Sequence, residues 1–121
     1  MLAIKTPLGI LAVLMLALAA PAARAGSPPD KKTERLWKAK CSSCHGVDGK
    51  AQTEQGKLMS LPDLSSSAWQ KGTTDERIRD QILNGVKKEK NGKTVQMDPF
   101  KGDLQPEQVD ALIGYVRSLA G

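Results

Sequence analysis

The sequence predicts a small all-α domain of three to four helices behind a removable export signal. Three observations predict it. Apolar residues recur at helical spacing near the C-terminus, at Val109, Leu112, Ile113, Val116 and Leu119. Pro106 precedes them at a position suited to the first turn of a helix. Start and stop signals bracket earlier segments, and no segment alternates apolar and polar residues as a half-buried strand does.

The first 25 residues have the anatomy of a secretory signal peptide. Lys5 precedes an apolar run over residues 8–20, and a small-x-small tripeptide ends at Ala25. The run is short for a bilayer span, which needs about 20 residues, although a retained membrane anchor is the alternative. We therefore expect removal of residues 1–25 on export to the periplasm. This leaves one soluble domain over residues 26–121, without stable membrane insertion.

The composition excludes one large class of function. The 121 residues carry 18 basic and 13 acidic side chains, a net charge of +5. Loss of Lys5 and Arg24 with the signal would lower that charge to +3. Basic residues are scattered among acidic ones without interleaved aromatics, so no nucleic-acid partner is expected. Aromatic residues make up only 3% of the chain. A large apolar cofactor would compensate for so modest a core.

The first predicted helix covers residues 31–40 and leads directly into the segment that carries both cysteines. Asp30 is suited to cap its N-terminus. Residues 46–60 are rich in Gly, Lys and Gln and predict a loop. Residues 65–70 predict a single helical turn.

Another helix is predicted before the last one. Thr73 and Glu76 fit a capping box at its start, and Asn84-Gly85 is a stop signal at its end. Residues 87–96 are polar and predict a mobile loop around an Asn91-Gly92 turn. That much loop in so small a domain indicates that something besides helix contacts organises the middle of the chain.

The only two cysteines and the only histidine fall within five consecutive residues, Cys41-Ser42-Ser43-Cys44-His45. This spacing is the haem attachment signature. Two thiols on one turn reach the two vinyl groups of a haem and become thioethers, and the adjacent imidazole then faces the iron. The motif predicts one haem c, covalently attached through Cys41 and Cys44, with His45 as a metal ligand.

Three other interpretations of the motif compete. A dithiol redox site usually follows a strand in a βαβ unit, and this chain has no strand pattern. Structural zinc needs four Cys or His ligands, and the chain has three such residues. A plain disulfide, with His45 an incidental surface residue, is the third alternative.

With these residues in view, the chain from about Lys31 to Ala120 resembles the class I mono-haem cytochrome c family. The order of helix, Cys-x-x-Cys-His, proline segment, helix, methionine segment and helix is the order of that family. The resemblance implies an all-α, cytochrome c-like fold of three to four helices wrapped around one covalently attached haem. It implies a soluble one-electron carrier, not an enzyme.

The resemblance also implies roles for individual residues. Met97-Asp98-Pro99-Phe100 resembles the segment that supplies the sixth iron ligand, so Met97 is expected to be the second metal ligand. Met59, or an open site, is the alternative. Pro62 matches the proline whose carbonyl accepts a hydrogen bond from the ligand histidine. Through that bond Pro62 would contribute to cofactor binding by fixing the imidazole ring. Trp69 resembles a tryptophan that bonds a haem propionate, with core packing as the alternative.

Trp37 and Tyr115 resemble the aromatic pair where the first and last helices of the family cross. The family often has a glycine four residues before the first aromatic, where this chain has Thr33; Gly114 is a candidate to compensate. Lysines near the methionine segment and the attachment motif are candidates to surround the exposed haem edge, namely Lys87, Lys88, Lys90, Lys93, Lys38 and Lys40.

The expected partners are redox proteins, an oxidase, a reductase or a dehydrogenase, that dock through the haem edge of a monomer. Two functions of other classes stay open. One is a haem enzyme or sensor, peroxidase-like or gas-binding, with a labile sixth ligand. The other is a haem-free dithiol oxidoreductase. Ligation of the iron by Met97 would distinguish the carrier from the haem enzyme or sensor. The presence of haem would distinguish it from the dithiol oxidoreductase.

Overall fold

Six helices and one β-hairpin make up residues 29–121, the part of the chain described by this computed structural model; the predicted signal peptide lies outside it. In chain order they are α1 (Lys31–Lys40), α2 (Ser42–His45), α3 (Glu54–Leu58), α4 (Ser67–Gly72), α5 (Asp75–Asn84), β1 (Val86–Lys90), β2 (Lys93–Met97) and α6 (Pro106–Ser118). Within these residues, no helix is long and apolar enough to cross a membrane.

The core forms where the apolar faces of α1, α5 and α6 meet. The predicted face of the last helix is confirmed: Val109, Leu112 and Val116 are almost completely buried. Trp37 on α1 stacks on Tyr115 of α6 with ring centroids 5.1 Å apart, so the expected aromatic pair is in contact. Thr33 is buried at this crossing. Gly114 is exposed and has open space around it, so it does not compensate for the missing glycine.

The helix ends follow the predicted signals with one correction. The Asp30 carboxylate accepts a hydrogen bond from the Thr33 backbone N–H at 2.7 Å, which confirms the cap of α1. At the start of α5 the predicted capping residue was wrong by one position. Thr74, not Thr73, is the N-cap, and its hydroxyl accepts from the Arg77 N–H at 3.2 Å. The stop at Gly85 is confirmed.

The prediction of a mobile loop over residues 87–96 was wrong, and with it the expectation of a purely α-helical fold. β1 and β2 pair as an antiparallel hairpin, from Val86 opposite Met97 to Lys90 opposite Lys93. The expected Asn91-Gly92 turn closes it, with φ of 53° and 73°. Positive φ at both central residues is the geometry of a two-residue hairpin loop. The fold is therefore helical with a small two-stranded sheet.

The predicted loop over residues 46–60 also contains a short helix, α3. Thr53 begins it: its hydroxyl accepts from the Gly56 N–H at 2.9 Å and donates to the Cys44 carbonyl at 2.6 Å. One side chain thus caps α3 and attaches it to α2. The predicted helical turn at residues 65–70 lies slightly later in the chain, as α4.

Candidate functional site

A cavity of about 690 Å³ lies between the α1–α2 junction, α5 and the hairpin. This volume is in the range of small-molecule and cofactor sites, about 300–1,000 Å³. All five side chains singled out in the sequence line it, namely Cys41, Cys44, His45, Pro62 and Met97. The fold therefore brings together residues that are up to 56 positions apart in the chain.

The attachment motif lines the cavity because the C-terminus of α1 lies at the cavity wall. Cys41 is the C-cap of α1, and its N–H donates to the Trp37 carbonyl at 2.9 Å. The single turn of α2 follows, and the His45 N–H donates to the Cys41 carbonyl at 3.0 Å. Both thiols are free and partly buried. Burial, and then the neighbouring Cys44, raise the pKa of the Cys41 thiol to about 11.

His45 is partly buried, in a way that suits a metal ligand. Burial lowers the pKa of its imidazole, which favours the neutral form that can bind a metal. Its Nδ1 atom is buried and has no hydrogen-bond partner in the described part of the chain. The predicted hydrogen bond to the Pro62 carbonyl is therefore not formed in this structure. An unpaired buried polar atom is costly and is typical of sites that another group completes.

Trp37 supports the same segment from the core side, where it lines the smaller of two cavities beside His45. Its indole N–H donates to the carbonyl of Gly46, the residue after His45, at 3.0 Å, and this bond is buried. Its ring centroid lies 5.9 Å from that of His45. The aromatic residue expected to pack at the helix crossing thus also fixes the backbone next to the candidate ligand.

Two methionines line the cavity, and their surroundings differ. Met59 follows α3, and its sulfur accepts a hydrogen bond from the Gln96 N–H at 3.5 Å. Met97 ends β2 and packs against the hydrophobic core. Met97 and His45 also both line a smaller inner cavity of about 60 Å³ that continues toward the core. Of the two methionines, Met97 lines the inner cavity together with His45 and Met59 does not.

The sequence reasoning missed one wall of the cavity. This wall is formed by Thr73, which precedes α5, and by Arg77 and Gln81 on α5. They recur at every fourth position, next to the apolar stripe of Ile78 and Ile82. This polar stripe was the one sequence pattern that could have indicated the wall. Three exposed cations and one carboxylate also line the cavity: Lys40, Arg77, Lys88 and Asp98.

These residues fit a haem. Cys41, Cys44 and His45 line the cavity from the α1–α2 segment, and Met97 lines it from the hairpin. Apolar side chains such as Leu61 and Val95 complete its lining, and cations at the opening match the carboxylates that a haem carries. Trp69 also lines the cavity, as the resemblance implies for a residue near a haem propionate.

Comparison with known proteins identifies the family. The family described as "Cytochrome C oxidase, cbb3-type, subunit III" matches residues 28–116. Among named relatives, the cbb3-type oxidase subunit FixP of Sinorhizobium medicae is 34% identical over 69% of this chain. Cytochrome c6 of a Nostoc species is 34% identical over 90% of this chain and 84% of its own length. Among solved structures, the c-type cytochrome KustC0563 has a TM-score of 0.61 at 35% identity, covering 74% of this chain and 98% of that one.

The chain spans about 28% of the FixP relative, so it corresponds to one part of that subunit. The family match nevertheless covers most of this chain, and the cytochrome c6 relative is covered almost from end to end. This chain belongs to the c-type cytochromes, a family whose members carry covalently bound haem c.

Proposed function

We propose that the chain is an exported, soluble one-electron carrier with a single haem c. Cys41 and Cys44 would attach the haem, and His45 and Met97 would bind its iron. The observation that carries this proposal is that these four side chains line the same cavity. Export follows from the predicted signal peptide at residues 1–25, and the N-terminal mass of the secreted protein tests cleavage after Ala25.

Bound haem iron would alternate between the ferric and ferrous states, which is the chemistry of one-electron transfer. The protein supplies the ligand field and the surroundings. His45 is kept neutral by burial, and a thioether from Met97 is a soft ligand that raises the reduction potential. Two protein ligands leave no open coordination position for oxygen or peroxide. This is why a carrier, not a haem enzyme or a gas sensor, is proposed.

Met97 is proposed as the sixth ligand over Met59 on two grounds. The sulfur of Met59 already accepts the Gln96 N–H, which links α3 to the hairpin. Met97 packs on the core and shares both cavities with His45. We propose that Pro62 forms a rigid part of the cavity wall near these ligands. Its carbonyl does not accept a hydrogen bond from the His45 Nδ1 atom in this structure.

The haem-free dithiol alternative is disfavoured by the chemistry of the thiols. Catalytic dithiols have a thiol whose pKa is lowered so that the thiolate forms near neutral pH. Burial instead raises the pKa of Cys41 to about 11, so this thiol stays protonated. A protonated, partly buried thiol beside a large cavity suits a cofactor tether better than a redox nucleophile.

We propose that redox proteins dock at the hairpin side of the cavity. Within residues 29–121, none of the four hairpin lysines forms an ion pair with a carboxylate; these are Lys87, Lys88, Lys90 and Lys93. Unpaired cations around an exposed haem edge would steer an acidic partner surface into contact. The FixP relative is named as a subunit of an oxidase, so an oxidase is one candidate partner, beside a reductase or a dehydrogenase. The chain is proposed to act as a monomer.

The ligand assignment is tested with two matched variants, Met97→Ala and Met59→Ala. Both remove a thioether from the same cavity. Met97→Ala should lower the midpoint potential and open the ferric iron to added imidazole, because the sixth position loses its protein ligand. Met59→Ala should retain the absorption spectrum of the wild type.

The readouts are reduced-minus-oxidised spectra combined with a potentiometric titration. An unchanged spectrum and potential in Met97→Ala would show that another residue occupies the sixth position. Loss of the sulfur ligand in Met59→Ala alone would reverse the assignment. High-spin ferric iron in the wild-type protein would instead favour the enzyme or sensor alternative.

A further inference from the structure

Gly85 lies where the end of α5 meets the end of β2. Its N–H donates to the Gln81 carbonyl at 2.9 Å and so closes the last turn of the helix. Its φ of 70° and ψ of −172° belong to a backbone region that is essentially restricted to glycine. β1 begins at the next residue, Val86, which pairs with Met97 across the hairpin. The turn at Gly85 therefore sets where Met97 returns to the helix.

The backbone of residues 97–99 lies directly against the Cα atom of Gly85. A Cβ atom at this position would overlap the carbonyl oxygen of Met97. It would also lie 2.9 Å from the Pro99 nitrogen and 3.1 Å from the Asp98 carbonyl carbon. All three neighbours are main-chain atoms, which cannot rotate aside as a side chain does. Any side chain at position 85 must therefore displace the backbone that carries Met97.

That backbone is held on both sides of Met97. After it, the Phe100 N–H donates to the Ile82 carbonyl at 2.9 Å, and the Lys101 N–H donates to the Leu83 carbonyl at 3.0 Å. These acceptors are end carbonyls of α5 that have no partner inside the helix. Before Met97, the hairpin pairs it with Val86. A methyl group at position 85 would thus strain this segment or break one of these contacts.

We propose that Gly85 is a positioning residue for the sixth iron ligand, holding the backbone of Met97 at the distance from α5 at which its sulfur reaches the iron. This rests on the proposed function, in which Met97 binds the iron. A ligand whose supporting residues leave it about 1 Å out of place is enough to compromise a site.

The test compares Gly85→Ala with Gly92→Ala in the haem-containing protein. Both glycines have positive φ and belong to or border the hairpin, but a Cβ at Gly92 meets open space. Two properties of the ferric protein are measured: the weak long-wavelength absorption band typical of methionine-to-iron bonding, and the affinity for added imidazole. Gly85→Ala should weaken or lose the band and bind imidazole about tenfold more tightly, since the competing ligand is displaced. Gly92→Ala should match the wild type in both.

A second comparison separates displacement of Met97 from general loss of stability. Arg117 is not among the residues that line the cavity, and Arg117→Ala should destabilise the fold without changing the band or the imidazole affinity. If Gly85→Ala is partly unfolded by circular dichroism, both readouts are repeated in trimethylamine N-oxide, which favours the folded state.

The outcomes distinguish this inference from the proposed function. A wild-type band together with Gly85→Ala values equal to those of Gly92→Ala, or of Arg117→Ala, would overturn the role of Gly85 and leave Met97 as the ligand. A wild-type protein without the band would overturn the Met97 assignment itself.

Discussion

Arg117 joins α6 to the end of α4 and the start of α5. Its guanidinium donates to the Gln70 carbonyl at 2.7 Å and to the Thr73 carbonyl at 2.6 Å. It also donates to the Asp75 carboxylate at 2.8 Å. These bonds attach the end of α4 and the start of α5 to α6. Arg117→Ala removes all of them together and leaves two main-chain carbonyls without their donor.

The expected loss follows from the exposure of each partner. Hydrogen bonds from a charged donor contribute about 1.5–3 kcal/mol each. Because the Arg117 side chain is 31% exposed, water can replace part of each bond, and the lower limit applies. The two carbonyls then account for about 3 kcal/mol. The ion pair adds at most about 1 kcal/mol, because the Asp75 side chain is 57% exposed.

Urea unfolding of the haem-containing protein measures this loss, and Arg79→Ala is the matched control. Arg79 forms an exposed ion pair with Asp110 at 2.6 Å, so its removal should cost at most about 1 kcal/mol. The midpoint should fall further for Arg117→Ala, with the slope m unchanged. Equal losses in the two variants would refute the reasoning, because they would mean that the carbonyl contacts of Arg117 contribute nothing beyond a surface ion pair.

Three further predictions concern stability. The hydrogen bond from the Thr33 N–H holds the pKa of the Asp30 carboxyl below its usual range, so the stabilising effect of this cap is present at neutral pH and is lost as the pH falls through the lowered pKa. Asp30→Asn should therefore flatten the acid limb of the stability–pH curve, measured by urea midpoints, and an unchanged limb would contradict this. Trp37→Phe should cost about 0.5–1.5 kcal/mol in urea, because the Gly46 carbonyl loses its buried indole donor and keeps only the Gly49 N–H at 3.2 Å; no loss would count against that bond. Leu112→Ala should cost about 2–5 kcal/mol, followed by calorimetry, and a loss below that range would show that the core at this position is loosely packed.

The helices that carry apolar stripes were predictable from sequence, and the hairpin was not. Four apolar residues of α6 recur at helical spacing, with Leu119 just beyond its end, and α1 has a carboxylate cap that acts locally. β1 and β2 carry lysines on both faces, so their alternation is hidden. The apolar residues of the hairpin are Val86, Val95 and Met97. They line the cavity and do not pack against a second sheet. Only the Asn91-Gly92 turn was visible as a local signal.

Much of the candidate site was predictable because its chemistry is compact in sequence. The Cys-x-x-Cys-His spacing identifies three of its side chains directly. The polar wall from α5 was missed since its residues read as an ordinary solvated face. The expected bond between His45 and Pro62 depends on how two distant segments approach each other, which no local pattern specifies. The same applies to Gly85, whose stop signal was visible but whose contact with Met97 is tertiary.

The most direct test of the account is the mass and haemochrome spectrum of protein exported from a host with haem-attachment machinery. Denatured wild-type protein should carry the mass of exactly one covalently bound haem and give the pyridine haemochrome spectrum of haem c. The double variant Cys41→Ala/Cys44→Ala should carry none. A wild-type mass equal to that of the bare polypeptide would contradict the attachment on which the proposed ligands, potential and function all depend.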